Sequence, residues 1–141
     1  MSRTGPILII EDDQDDQEML QEAFTELGVR NKLLFFDKTK KAFDFLKTTS
    51  EKPFLILSDI NLPQQTGVEF KREVDSDPQL RKKSIPFVFF STSIEKHAVD
   101  IAYKELTIQG FFRKSNKYED LKKTLSLIIE YWKICKHPNS V

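Results

Sequence analysis

Five short apolar runs alternate with helical patterns along this chain, and most of them end in polar residues. The first, Ile7-Leu8-Ile9-Ile10, is branched and apolar at every position, as in a strand buried on both faces. Lys32 to Phe36 reads as a second strand, Phe54 to Ser58 as a third and Phe87 to Phe90 as a fourth. Phe111-Phe112, after Gly110, forms a short fifth. Strands of this kind separated by helices imply a parallel sheet covered on both faces through right-handed crossovers.

The intervening segments carry the helices. Leu20, Ala23, Phe24 and Leu27 fall at helical spacing, with Asp15 and Glu18 as an expected capping box and Gly28 at the C′ position. A second helix is expected from about Thr39 to Thr48, burying Ala42, Phe43 and Leu46. A third runs from about Val68 to Val74, where Asp77-Pro78 closes the helical region. Ile94, Ala98, Ile101 and Ala102 mark a fourth. The last, from about Tyr118 to Cys135, has Leu121, Leu125, Ile128, Ile129 and Trp132 as its core stripe. The expectation is an α/β, flavodoxin-like, doubly wound five-stranded sheet of order 2-1-3-4-5 with five helices. At 141 residues one domain is expected over 1–141, with a core of about 6–134 and a short C-terminal tail.

Bulk chemistry narrows the function. Lys+Arg and Asp+Glu are both 22, so no net charge favours nucleic acid or anionic lipid. The single cysteine, Cys135, offers neither a disulfide framework nor a cysteine metal site. His97 and His137 have no second ligand at helical spacing and read as surface residues. The N-terminus lacks a signal-peptide pattern, and no apolar run approaches the roughly 20 residues of a membrane helix. A cytoplasmic protein is expected.

In open parallel sheets, sites form at the carboxyl ends of strands, where strand order reverses. Here the first strand ends in Glu11, Asp12 and Asp13, the third in Asp59 followed by Asn61, the fourth in Ser91, Thr92 and Ser93, and the fifth in Lys114. Carboxylates grouped this way suit a hard dication such as Mg²⁺. A hydroxyl and an ammonium could hold phosphate oxygens, and phosphoryl transfer needs mainly positioning and charge neutralisation.

Over roughly residues 6 to 134 this set resembles the response-regulator receiver domains of bacterial two-component systems, relatives of the chemotaxis response regulator. The resemblance implies Asp59 as phosphoacceptor from a histidine kinase or phosphotransfer protein. It implies Glu11, Asp12, Asp59 and the Asn61 carbonyl as the Mg²⁺ set. Ser91 and Thr92 would lie at the phosphoryl group, Phe111 would be an aromatic switch, and Lys114 the phosphate-pairing lysine. Residues two beyond Asp59 and Ser91, here Asn61 and Ser93, tune dephosphorylation in the family. The chain departs from the pattern in three places. Glu11 stands where Asp is commonest. Lys114 precedes Ser115 where the family has a cis proline, so a trans bond and a shifted Lys114 are expected. Ile60 follows Asp59, leaving Trp132 remote from the site.

The expected output is protein binding rather than nucleic-acid or membrane contact. Leu127, Tyr131 and Ile134 form a second apolar face on the last helix. The Tyr131-Trp132-Lys133 ending resembles stand-alone regulators that partner phytochromes or hybrid kinases, several of which dimerise through this end. Two other readings compete. Asp13-Gln14-Asp15 crudely matches the Asp-x-Asp of haloacid-dehalogenase-like phosphohydrolases. A pseudo-receiver would bind partners without phosphorylation.

Overall fold

The computed structural model describes residues 4–92, 96–106 and 108–134, without the side chains of 97 and 98. Ser93, Ile94, Cys135 and His137 lie outside the described residues, as do the side chains of His97 and Ala98. The strands are β1 (Ile7–Ile10), β2 (Leu33–Phe36), β3 (Leu55–Ser58), β4 (Phe87–Ser91) and β5 (Gly110–Arg113). All pair in parallel, in the order β2-β1-β3-β4-β5. The register sets Ile10 beside Ser58 and Ser91 beside Arg113. Asp59 and Lys114 therefore step off adjacent parts of one edge.

The helices are α1 (Gln14–Glu26), α2 (Thr39–Thr48), α3 (Gly67–Ser76), α4 (Pro78–Lys83), α5 (Lys96–Glu105) and α6 (Tyr118–Ile134). Side chains alternate across the sheet. Ile7, Ile9, Leu55, Leu57, Val88 and Phe90 pack under Leu20 and Phe24 of α1 and Leu125 and Ile129 of α6. Leu8, Ile10, Ile56, Phe87 and Phe89 pack under Ala42 and Leu46 of α2, Phe70 of α3, Leu80 of α4 and Ala102 of α5. Both faces are covered, which is why the strands read as continuous apolar runs.

Two details differ from the sequence expectation. The N-cap of α1 is Asp13, two residues before Asp15: its backbone is extended and its carboxylate accepts from Asp16 N. Asp15 and Asp16 then occupy the first turn, where the helix dipole favours them. There are also six helices among the described residues, not five. Asp77-Pro78 closes α3 and opens α4 at once: Asp77 accepts from Gln79 N and Leu80 N, and Pro78 takes the N1 position. The C-terminus of α1 follows the expectation. Gly28 takes φ +72°, with Gly28 N donating to Thr25 O and Val29 N to Phe24 O, a Schellman pattern.

Candidate phosphotransfer site at the carboxyl edge of the sheet

Asp59 leaves β3 buried, 8% exposed. Its N–H donates to Ile10 O, which fixes it beside the end of β1. One carboxylate oxygen, Oδ1, accepts from Ile60 N at 2.7 Å, Asn61 N at 3.3 Å and the Ser91 hydroxyl at 2.7 Å. The other, Oδ2, faces Lys114 Nζ at 3.6 Å. The two oxygens are thus differentiated: one is saturated with donors, and the other faces the cation.

Behind Asp59 sits Gly67, the first residue of α3. A Cβ placed there would lie 2.2 Å from Asp59 O and 3.0 Å from Ile60 Cα. Its N–H donates to Ile60 O. The preceding Thr66 forms a full capping box with Glu69, so α3 starts rigidly against the backbone of the site.

Glu11 is buried at the end of β1, and its N–H donates to Phe36 O. Its Oε2 accepts from Asp13 N at 3.2 Å, and its Oε1 accepts from Lys114. Burial pushes the Glu11 carboxyl up, to about 7, against the opposing pull of Lys114. Asp12 is exposed. Oxygens from Glu11, Asp12 and Asp59 all lie within 4.8 Å of one another. Three carboxylates that close are the donor chemistry of a hard divalent cation, which offsets their mutual repulsion.

Lys114 follows β5, 5% exposed, and its N–H donates to Ser91 O. Its ammonium bonds Glu11 and, at 3.0 Å, Asp16 Oδ2. Burial alone would lower the Lys114 pKa, but Glu11, Asp59 and Asp16 together outweigh it and raise it. Every peptide bond among the described residues is trans, Lys114–Ser115 included.

The remaining expected residues fall around this centre. Ser91 is fully buried and bonded to Asp59, while Thr92 and Asn61 are exposed beside it. Phe111 is half-buried in β5, its ring 5.6 Å from that of Phe89. Asp13, the residue a phosphohydrolase would use, is exposed and spends its carboxylate on the α1 cap. Sequence reasoning missed two contributors, Asp16 on Lys114 and Gly67 against Asp59. The Asp13-to-Asp16 spacing and the Thr66–Glu69 box were the available signals for both.

A doubly wound parallel sheet with these groups at its carboxyl edge defines the class of protein: a receiver domain. The chain belongs to the response regulator receiver domain family of two-component systems, whose pattern it matches over residues 7–126. Among individual relatives, it is 31% identical over 131 residues to the response regulator Rcp1 of Synechocystis sp., spanning 89% of this chain and 87% of that protein. The structure of the phosphorylated cyanobacterial phytochrome response regulator RcpA matches with a TM-score of 0.84 at 29% identity, over 95% of this chain and 98% of that one. The Mn²⁺-bound form of Rcp1 matches with a TM-score of 0.81 at 30% identity, over 94% and 98%. Among the described residues, no helix is long and apolar enough to cross a membrane.

Proposed function

We propose that this chain is a cytoplasmic phosphorylation switch in which Asp59 accepts a phosphoryl group from a histidine kinase or phosphotransfer protein. The observation that carries the reading is the convergence of Glu11, Asp12, Ser91 and Lys114 on Asp59. An Asp59 carboxylate oxygen attacks the phosphorus of a phosphohistidine. The P–N bond breaks, its electron pair stays on the imidazole nitrogen, and that nitrogen takes up a proton. Glu11, Asp12, Asp59 and the Asn61 carbonyl would hold Mg²⁺, which supplies charge neutralisation at the phosphoryl oxygens. Lys114 pairs with one of those oxygens. Ser91 leaves Asp59 Oδ1 to bond another, and Phe111 follows that movement. The Mn²⁺-bound form of Rcp1 and the phosphorylated form of RcpA support both the ion and the modification.

The phosphorylated state would be read by a protein. The exposed stripe Leu127, Tyr131 and Ile134 on α6 supports pairing of two copies through that helix. Intact-mass analysis after acetyl phosphate and Mg²⁺ tests the chemistry: one phosphoryl group is expected on the native chain and none on Asp59→Asn. Equal labelling of both would sink Asp59 as acceptor. No labelling, with partner binding retained in Asp59→Asn, would favour a phosphorylation-independent binding module. Size measurement of the two phospho-states tests the pairing.

A further inference from the structure

Lys114 carries one positive charge among three carboxylates: Glu11, Asp16 and Asp59. Its hydrogen bonds go to Glu11 and Asp16; Asp59 Oδ2, at 3.6 Å, stands beyond hydrogen-bond reach. Asp16 lies outside the cluster of carboxylates that could share a cation. Its side chain is 37% exposed against 9% for Asp59, so water supports its charge where Asp59 has little.

The position of Asp16 is set by the helix it stands on. Asp16 N donates to Asp13 Oδ1 at 3.0 Å, which fixes the phase of the first turn of α1. One residue on, Gln17 Nε2 donates to Glu11 O at 2.6 Å and ties that turn to the end of β1. Together these turn the Asp16 carboxylate inward onto Lys114.

We propose that Asp16 is a positioning residue that competes with Asp59 for Lys114 and thereby limits how tightly the site holds a phosphoryl group. The inference rests on the phosphoacceptor reading of Asp59. A phosphoryl group on Asp59 must draw the ammonium away from Asp16, and the carboxylate left behind repels the new anion. Removing the charge of Asp16 frees Lys114 and relieves that repulsion. A residue of merely structural value would weaken the site when lost; Asp16 is expected to do the reverse.

Beryllofluoride, a phosphoryl analogue, tests this at saturating Mg²⁺, with affinity read from amide NMR spectra. Asp16→Asn should bind it more tightly, roughly three- to thirtyfold for one charge removed a few ångströms away in a partly screened site. Asp16→Glu should stay near the native value. Unchanged or weaker binding by Asp16→Asn would overturn the proposal. A second readout uses metal-free protein: the Asp59 and Ser91 amide signals should move in Asp16→Asn as Lys114 settles on Asp59. If the native chain binds no beryllofluoride, the phosphoacceptor reading fails. The metal-free spectra still decide the Asp16 contact, and unmoved signals there would overturn it.

Discussion

Asp59 shows how much of a carboxylate's setting comes from its neighbours rather than from itself. Three donors on Oδ1 fix its rotamer, and Gly67 fixes its backbone from behind. Gly67→Ala forces a methyl group onto the Asp59 carbonyl, so the strand end or α3 must shift. We expect a stability loss of about 2 kcal/mol or more by urea denaturation, and slower labelling by acetyl phosphate. Gly28→Ala is a useful comparison, since that site has open space but positive φ; it should lose stability and keep its labelling rate. Glu11 gives a pH signature in the metal-free protein. Its folded value of about 7 lies above its ordinary 4.5, so the folded state holds the proton more firmly. The stability linked to that proton is fully present below 4.5 and is lost as pH rises through about 7. Between pH 5 and 7.5 the native chain should therefore fall relative to Glu11→Gln, by on the order of 1–3 kcal/mol. A constant difference across that range would contradict the assignment.

Elements divided sharply into those legible in the sequence and those hidden. The strands were legible because a strand buried on both faces needs an unbroken apolar run, and Ile7–Ile10 and Phe87–Phe90 can serve no other purpose so well. Their polar ends were legible for the same reason: Asp59 and Glu11 stand out against the runs they terminate. The short α4 was hidden, because six residues give too few turns to establish a periodicity, and Asp77-Pro78 signals the end of one helix as well as the start of another. The start of α1 was ambiguous because Asp12, Asp13, Asp15 and Asp16 are all acceptable caps. Only the extended backbone at Asp13 decides, and with it the inward turn of Asp16. Asp77 invites a test at this scale. It caps α4 through two N–H groups and pairs with Lys47 at 2.9 Å. Asp77→Ala should cost about 1–2 kcal/mol in thermal unfolding. Lys47→Met, which removes only the ion pair, should cost under about 1 kcal/mol. Equal losses would mean that the cap contributes nothing.

The molecule as a whole gathers its candidate site from residues more than 100 positions apart, as the Lys114–Glu11 bond shows. An ion bound there engages only the folded chain, so Mg²⁺ should raise the melting temperature. At a hundred times its dissociation constant the gain is about 2.7 kcal/mol, or several degrees for a chain this size. Asp12→Asn should remove most of that shift; an undiminished shift would take Asp12 out of the ligand set. The seat of α3 on the Asp59 backbone has one more consequence. It acts as a hard stop behind Asp59. The backbone of Asp59 has no room to shift toward α3, because the first residue of that helix already lies against its carbonyl. A missing methyl group at Gly67 is therefore what lets a helix brace the end of a strand.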